Sequence, residues 1–365
     1  YRDGTCVGER DQDEKNLNFA GLLIFSDPIR PSVQKAIESC QAANIKIKML
    51  TGDHPYTAHA VADQTGIQHR HDLLFTGDQL AAMTKPERWI AYQQGAIFSR
   101  VLPEQKYEMV QALKEAGNIV AMTGDGINDA PALKIADIGI SMGINATDVA
   151  RSSAKMILLK NNFNGIVEAV FEGRRIFANL KRSFSYLVAF HIPVILLALI
   201  PPIIGWGDLL LPIHIVLLEL VVHPVSAFAF ENLSGGTTAR EKGLMSLRRF
   251  GEASLAGTLL SIGGLVLFRT TPSTQLIHLG RSIALSTILF GNISFVLIES
   301  WPAFTRRTLT TILSLLALIV AVTWIPLLRE LFHLSSLTPI QSLTAMVVAF
   351  GAVLPTFLLR HKNRT

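Results

Sequence analysis

Two aspartates and an asparagine follow an apolar segment in the run Met122-Thr123-Gly124-Asp125-Gly126-Ile127-Asn128-Asp129-Ala130-Pro131-Ala132-Leu133. Glycines let a backbone approach a phosphate closely. Asp125 and Asp129 supply the carboxylate oxygens that Mg²⁺ prefers. Ala130-Pro131 starts a helix, and a helix N-terminus favours anions. The run therefore predicts a phosphoryl-transfer site, which needs a metal to neutralise charge and donors to hold oxygens.

Two shorter segments carry compatible chemistry. In Leu50-Thr51-Gly52-Asp53, a hydroxyl and free N–H groups can cradle a phosphoryl oxygen. In Arg100-Val101-Leu102-Pro103-Glu104-Gln105-Lys106, the lysine lies on the first turn of a helix and can meet phosphate as a point charge. Taken singly, such a tripeptide is usually a turn and such a lysine is usually solvated. All three segments in this order, each at a strand end or helix start, favour a single site.

Short apolar strands alternate with helices in residues 17–162, and these elements must position the three segments. The predicted strands are 19–25, 45–50, 96–98, 118–122, 138–141 and 155–158, and the predicted helices are 31–43, 55–65, 103–116 and 130–135. This alternation is typical of an α/β domain with a parallel sheet covered on both faces. Ligands of such sheets bind at the carboxyl ends of the strands.

The rest of the chain has a different composition. The average of 49% hydrophobic and 17% charged residues over 365 residues hides a soluble-type half and a strongly apolar half. Residues 163–183 read as a cationic stalk helix. Six apolar spans follow, each near the roughly 20 residues that cross a bilayer: 184–204, 209–230, 252–270, 282–299, 308–328 and 337–358. Prolines are expected to interrupt the first two spans, which would then line protein or water rather than lipid: Pro193, Pro201, Pro202, Pro212 and Pro224.

The net charge of +5 does not indicate nucleic-acid binding, because much of the basic excess flanks apolar spans. Basic residues concentrate after the even-numbered spans, as at Arg240, Lys242, Arg248 and Arg249. The positive-inside rule therefore places the soluble half and the C-terminus in the cytoplasm. Cys6 and Cys40 have the spacing of neither a disulfide framework nor a zinc site.

Ionisable residues inside membrane spans are costly and are candidates for function. Glu219 and His223 lie four residues apart and share one helix face, and His191 lies in the preceding span. His214, near a span start, is expected to be a packing residue, and Glu231 is expected to reach the interface.

The chain resembles the P-type ATPases, which share the haloacid-dehalogenase-like phosphotransfer fold, a Rossmann-like parallel sheet. The resemblance rests on Asp27-Pro28-Ile29-Arg30-Pro31, Thr51-Gly52-Asp53, Arg100 with Pro103 and Lys106, Thr123 through Leu133, and Asp137-Ile138-Gly139-Ile140-Ser141-Met142-Gly143. Six spans after the phosphotransfer domain are similar to the calcium-pump-like branch. The resemblance implies an all-α membrane domain of six helices over 184–360, joined by the stalk to the α/β domain.

The resemblance also implies a role for each matching residue. Asp125 would ligate Mg²⁺, with Asp129 in support. Thr51 and Gly52 would hold the phosphoryl group, and Lys106 would stabilise the phosphorylated aspartate. The remaining matches, Asp53, Arg100 and Asn128, would contact ATP or its phosphates.

The aspartate that the family phosphorylates lies in a DKTGT motif, which this sequence does not contain. The resemblance implies that it lies upstream, together with further domains of the same pump, and that residues 1–16 are the remnant of a nucleotide-binding domain. We therefore expect a fragment that belongs to an ion-translocating ATPase when complete and that is inactive alone. One part of a split pump, a non-catalytic membrane module and a membrane-tethered phosphatase of the same fold are the alternatives.

The transported cation is the least determined prediction. The bacterial family pattern LELIIDP appears here as Leu218-Glu219-Leu220-Val221-Val222-His223-Pro224, with histidine in place of aspartate. Calcium takes six to eight oxygen ligands, and imidazole suits other metals. A calcium-like ion, a proton and a softer divalent metal all stay open, as does loss of transport. The expected location is a plasma (inner) membrane, in contact with lipid.

Overall fold

The computed structural model describes residues 19, 21–23, 28–70, 73–160, 162–231, 233, 243–270 and 276–362. The chain forms two compact units, Tyr1–Val167 and Glu168–Thr365, which are described separately. The predicted remnant at residues 1–16 lies outside the described residues, as do Asp27, Arg240 and Lys242.

The first unit contains two three-stranded parallel sheets. One holds β1 (Met49–Leu50), β2 (Leu74–Thr76) and β3 (Ile97–Ser99) in the order β1-β3-β2. The other holds β4 (Ala121–Gly124), β5 (Ile138–Met142) and β6 (Met156–Leu158) in chain order. Within each sheet every described pairing is parallel, so the strand ends meet at one edge. The α/β class with parallel strands is confirmed.

Among the described residues of this unit, the α-helices are α1 (Ser32–Ala42), α2 (Pro55–Thr65), α3 (Gly77–Ala82), α4 (Lys85–Gln94), α5 (Pro103–Glu115), α6 (Ala130–Ile135) and α7 (Asp148–Ser153). Local sequence determines their ends. Pro55 begins α2, where His54 Nδ1 accepts a hydrogen bond from the Tyr56 N–H, and Gly66 ends it at φ +75°.

Several sequence predictions for this unit were wrong. The apolar run 19–25 was expected to be a buried strand, but its described residues lie outside any strand, and Phe19, Leu22 and Leu23 are each more than 80% exposed. Hydrophobicity alone does not make a strand, because a strand also needs a neighbour for its backbone groups. The strand expected at 45–50 contains only Met49–Leu50. Strand β2 and helices α3, α4 and α7 were not anticipated.

The described residues of the second unit are mostly helical and include six helices long and apolar enough to cross a membrane. Its α-helices are α8 (Asn164–Ile203), α9 (Pro212–Leu217), α10 (His223–Ala227), α11 (Leu247–Arg269), α12 (Leu276–Ser300), α13 (Arg306–Trp324), α14 (Pro326–Leu331) and α15 (Pro339–Lys362). A π-helix at Leu218–Val222 joins α9 to α10, and a 3₁₀ turn at Phe228–Phe230 ends the second span.

The first span corrects the prediction about prolines. Pro193, Pro201 and Pro202 lie inside one continuous helix, α8, which also contains the predicted stalk. In a membrane helix, neighbouring groups and small local adjustments satisfy the carbonyls that proline leaves without a donor. Pro212 begins α9 rather than breaking a helix. Of the five prolines, only Pro224 lies close to an irregular part of a helix. It is the second residue of α10, which follows the π-helix.

Helix α12 lies at the centre of this unit. In its most apolar window 83% of the residues are buried, against 39% or less in the other candidate spans. Glycines allow the close packing around it. A Cβ on Gly291 would lie 2.2 Å from the Leu260 side chain, and a Cβ on Gly280 would lie 2.4 Å from the Phe268 ring. Small residues at such contacts are typical of membrane helices.

Candidate functional sites

The aspartate loop, defined as Gly124–Asp129, follows β4. Asp125 is exposed, and its carbonyl accepts a hydrogen bond from the Thr147 N–H at 2.9 Å. A 3₁₀ turn over Ile127–Asp129 then brings the buried Asp129 back over the strand end. A Cβ on Gly124 would lie 2.5 Å from the Cβ of Asp129, so this return requires glycine at position 124.

Lys106 and Asp129 form an ion pair. The lysine Nζ lies 2.7 Å from Asp129 Oδ1, and the two side chains are only 16% and 12% exposed. Pro103 begins α5, and the Lys106 N–H donates to the Leu102 carbonyl at 3.1 Å, which places the lysine on the first turn as predicted. The geometry thus joins two of the three sequence segments. It also gives Asp129 a cationic partner that was not foreseen.

Thr51 lies at the end of β1 and contacts the chain that leads to Lys106. Its N–H donates to the Phe98 carbonyl at 2.9 Å, and its carbonyl accepts from the Val101 N–H at 3.3 Å. Its Oγ1 accepts from the Asp53 N–H at 3.0 Å, closing a small turn. No hydrogen bond or ion pair among the described residues joins Thr51 to Asp125, so the contact between these two loops stays a prediction.

The other predicted ATP contacts lie at the surface. Gly52, Asp53, Arg100 and Asn128 are all exposed. Arg100 has φ +50°, a conformation that is uncommon for a residue other than glycine. Exposure leaves these groups accessible to a ligand.

A cavity of about 310 Å³ lies beside Asp125. The sequence did not predict this cavity. It is lined by Arg30, Ser32, Val33, Asp125, Met142, Asn145 and Phe163. Arg30 belongs to the segment Asp27–Pro31, which the sequence had singled out without a role. The cavity combines a carboxylate with a guanidinium and small polar groups, a composition suited to a metal with an anionic ligand.

In the second unit, His191, Glu219 and His223 form what we call the histidine–glutamate cluster. His191 Nε2 lies 3.3 Å from Glu219 Oε1, and His223 Nδ1 lies 3.8 Å from Glu219 Oε2. The other nitrogen of His191, Nδ1, lies 2.8 Å from the Leu187 carbonyl, which fixes the ring orientation. The structure therefore brings together all three residues that were predicted as ion-binding candidates.

Two features next to this cluster were missed. Glu219 lies in the π-helix, an irregularity often found at functional sites. A buried polar chain also runs beside it: the Tyr186 hydroxyl donates to Asn292 Oδ1 at 2.7 Å, and Asn292 Nδ2 donates to Ser226 Oγ at 2.8 Å. Asn292, the one amide side chain in the predicted span 282–299, was the available sequence signal.

His214 is fully buried and takes a structural role, as expected. Its Nδ1 accepts from the Leu211 N–H at 3.1 Å, and its Nε2 lies 2.6 Å from the Phe332 carbonyl. Both ring nitrogens are thus used in packing the helix start.

Comparisons with known proteins agree with this division of the chain. Residues 2–137 match the model of the haloacid dehalogenase-like hydrolases, and residues 105–170 match a second model of that description. Residues 208–361 match the model described as cation transporting ATPase, C-terminus.

The most similar relatives carry related names. The calcium-transporting ATPase of Bacillus subtilis is 33% identical over 96% of this chain and 41% of its own length. The cation-transporting ATPase pma1 of Synechocystis is 48% identical over 48% of this chain and 19% of its own length. The calcium-transporting ATPase 1 of Bacillus cereus is 41% identical over 60% of this chain and 25% of its own length. The chain thus spans about two fifths or less of these relatives.

Proposed function

Because this chain belongs to the P-type cation-transporting ATPases, we propose that it supplies part of the phosphotransfer site and part of the cation path of an ATP-driven pump. The observation that carries the proposal is the Lys106–Asp129 ion pair beside the exposed Asp125, at the end of a parallel strand. The chain is an integral membrane protein.

The residues of the aspartate loop fit a magnesium ion. Asp125 presents an accessible carboxylate, and the adjoining cavity has room for a metal together with a phosphate group. Asp125 would hold the ion, with Asp129 in support, and the ion would supply charge neutralisation on the phosphoryl oxygens.

The remaining roles at the phosphotransfer site would belong to side chains and backbone groups of this chain, which would act through their position and charge. Lys106 would stabilise the charge on a phosphorylated aspartate, and Asp129 would hold its ammonium group in place through the 2.7 Å ion pair. Thr51 would donate its hydroxyl, and Gly52 its N–H, to the phosphoryl oxygens at the end of β1. The exposed Asp53, Arg100 and Asn128 would contact ATP.

We assign the cation path to the histidine–glutamate cluster. Two imidazoles and one carboxylate form a donor set that suits a proton or a transition-metal ion better than calcium. The relatives named as calcium-transporting are the reason to include calcium in every test. We propose that the first unit and the C-terminus lie in the cytoplasm and that the membrane is a plasma membrane. The positive-inside rule supports this orientation, because basic residues concentrate after the even-numbered spans.

The direct test expresses the complete reading frame that contains this chain and prepares inverted membrane vesicles. We expect Mg²⁺- and ATP-dependent uptake of one cation from a panel of H⁺, Ca²⁺, Mn²⁺ and Zn²⁺, with a phosphorylated intermediate that hydroxylamine cleaves. If neither cation uptake nor a phosphoenzyme is observed, the pump is rejected and a non-catalytic membrane module is favoured. Hydrolysis of small phosphate esters without cation dependence would favour a tethered phosphatase.

A further inference from the structure

A second group of metal-binding residue types lies at the end of α2, in the first unit. His59 and Asp63 are one helical turn apart, and His69 follows after the chain turns back at Gly66. We call these three residues the α2 cluster. None of them belongs to the motifs that carry the pump function.

The separations within the α2 cluster are compatible with a small metal ion bound between the side chains. His59 Nδ1 lies 3.1 Å from Asp63 Oδ2 and 3.2 Å from His69 Nε2, and His69 Nε2 lies 3.6 Å from Asp63 Oδ1. Ligands at about 2.0–2.1 Å around a tetrahedral ion are about 3.3 Å from one another. We propose that His59, Asp63 and His69 bind a divalent transition metal of the zinc class, independently of the magnesium and of the transported cation.

The orientation of His69 supports this assignment. Its Nδ1 lies 2.7 Å from the Ile67 carbonyl, so Nδ1 carries the proton and donates it there. Nε2 is therefore left with a lone pair that faces His59 and Asp63. A backbone carbonyl in this position is the usual partner of a metal-bound histidine, because it fixes both tautomer and ring orientation.

The three side chains also face one point. His59 Nδ1 lies near both the carboxylate of Asp63 and Nε2 of His69. A cation at this point would contact all three side chains at once.

The scaffold around the cluster is already ordered. Gly66 adopts φ +75°, its carbonyl accepts from Gln41 Nε2 at 3.0 Å, and the Ile67 N–H donates to the Ala62 carbonyl at 3.0 Å. The His69 side chain is 7% exposed while that of Asp63 is 61% exposed. The cluster therefore has a fixed, buried side and an open side, where a metal could enter and a water could take the fourth position.

The donor types select the metal class. Two imidazole nitrogens suit Zn²⁺, Co²⁺, Ni²⁺ or Cu²⁺, whereas Mg²⁺ and Ca²⁺ take oxygen ligands. The proposal thus names a transition-metal site on the phosphotransfer unit, which would pin the end of α2 to the segment after it.

The test titrates the detergent-solubilised full chain with Co²⁺ alone and records visible absorption, then displaces the bound Co²⁺ with Zn²⁺. We expect one equivalent with the intense bands of four-coordinate cobalt. His69→Gln is expected to weaken Co²⁺ binding by about 100-fold or more. Mutating a residue that only hydrogen-bonds to a metal ligand already lowers metal affinity by about 10–100-fold. His54→Asn is the matched control: it removes a histidine at the other end of α2 while keeping a capping side chain, and should bind normally.

Two outcomes would overturn the proposal. One is a wild-type chain that shows no four-coordinate cobalt spectrum. The other is binding that survives His59→Gln and His69→Gln but disappears in His223→Asn, which would place the metal in the histidine–glutamate cluster. Circular dichroism on each variant separates loss of the site from loss of the fold.

Discussion

The aspartate loop and the histidine–glutamate cluster both hold a carboxylate against nitrogen groups, but the partners differ in kind. Asp129 faces the ammonium group of Lys106. Glu219 faces the imidazole rings of His191 and His223. We propose the first arrangement for phosphoryl chemistry and the second for the cation path.

The backbone that presents each carboxylate also differs. Asp129 follows a strand through a tight turn that only glycine at position 124 permits. Glu219 lies in a π-helix between two short α-helices. A short motif determines the first geometry almost completely, whereas the second depends on how a whole helix is interrupted. This comparison leads to four predictions. The first three are made for the product of the complete reading frame, and the fourth is made for this chain.

The largest effect is expected from Asp125→Asn. Loss of the carboxylate removes the proposed magnesium ligand, so the rate of phosphorylation by ATP should fall by about 1,000-fold or more. This loss lies within the several kcal/mol of transition-state stabilisation that a bound metal ion supplies. Phosphoenzyme is measured with labelled ATP in a rapid assay. Asp148→Asn removes an exposed aspartate of the same unit and should phosphorylate normally. Wild-type phosphoenzyme levels in Asp125→Asn would remove this residue from the site.

The next effect concerns the ion pair. Lys106→Met should lower the phosphorylation rate by about 100-fold or more, as expected for loss of one preorganised donor. Asp129→Asn should have a smaller effect because the lysine remains but loses its anchor. The double variant should resemble Lys106→Met alone, since coupled partners are not additive. Lys134→Met, an exposed lysine on α6, is the control, and strictly additive losses would show that the pair does not act as one unit.

In the second unit, the effect on the phosphotransfer site itself is expected to be smaller, and the loss should be selective for the response to the cation. Glu219→Gln should abolish cation-stimulated turnover while the phosphotransfer site stays intact. His223→Asp restores the aspartate of the LELIIDP pattern and adds an oxygen ligand, so it should raise the apparent calcium affinity by about tenfold. Both are read as ATPase activity against cation concentration. Glu231→Gln, whose carboxylate pairs with Arg307, is the control. Unchanged cation dependence in Glu219→Gln would place the path elsewhere.

The smallest effect concerns stability of the first unit, measured on this chain. The Val120 N–H, 2.9 Å from Asp137 Oδ2, together with Lys114, holds the pKa of Asp137 below its usual value. A lowered folded pKa stabilises the fold above the unfolded pKa of about 3.9, and this stabilisation is lost as pH falls through the folded pKa. Asp137→Asn should therefore be less stable at pH 7, by under about 1 kcal/mol for so exposed a group.

The check for this variant is urea unfolding of the first unit at several pH values. The difference from wild type should begin to shrink as pH falls below about 4 and should be smallest below the lowered folded pKa, where both chains carry a neutral group at position 137. A difference that is the same at pH 3 and pH 7 would mean that packing, not charge, is responsible. Asp148→Asn, at a side chain that is 98% exposed, again provides the control.

Sequence reasoning succeeded where chemistry and local structure are encoded together. Helices α2 and α6 have the predicted bounds, because proline at their starts determines where they begin. The ion-binding candidates also proved to be neighbours, since Glu219 and His223 are spaced by one helical turn. Periodicity and caps are local properties, so one sequence is enough to read them.

Several of the failures involve partners that are distant in sequence. The pairing of Lys106 with Asp129 joins residues 23 apart, and the contact between Tyr186 and Asn292 joins residues 106 apart. The run at Phe19 is apolar like a buried strand, yet its described residues are exposed. Such outcomes depend on which segments meet in the folded chain, which no local pattern encodes.

Because of the π-helix at Leu218–Val222, the histidine–glutamate cluster should depend more on the number of residues in this segment than on their types. Each residue of an α-helix turns the chain by about 100°, so a one-residue deletion that converts this segment to regular α-helix would rotate Glu219 relative to everything that follows it. Every side chain of the cluster would be present, but the carboxylate would face a different neighbour. Insertions and deletions here should therefore be far more damaging than most substitutions.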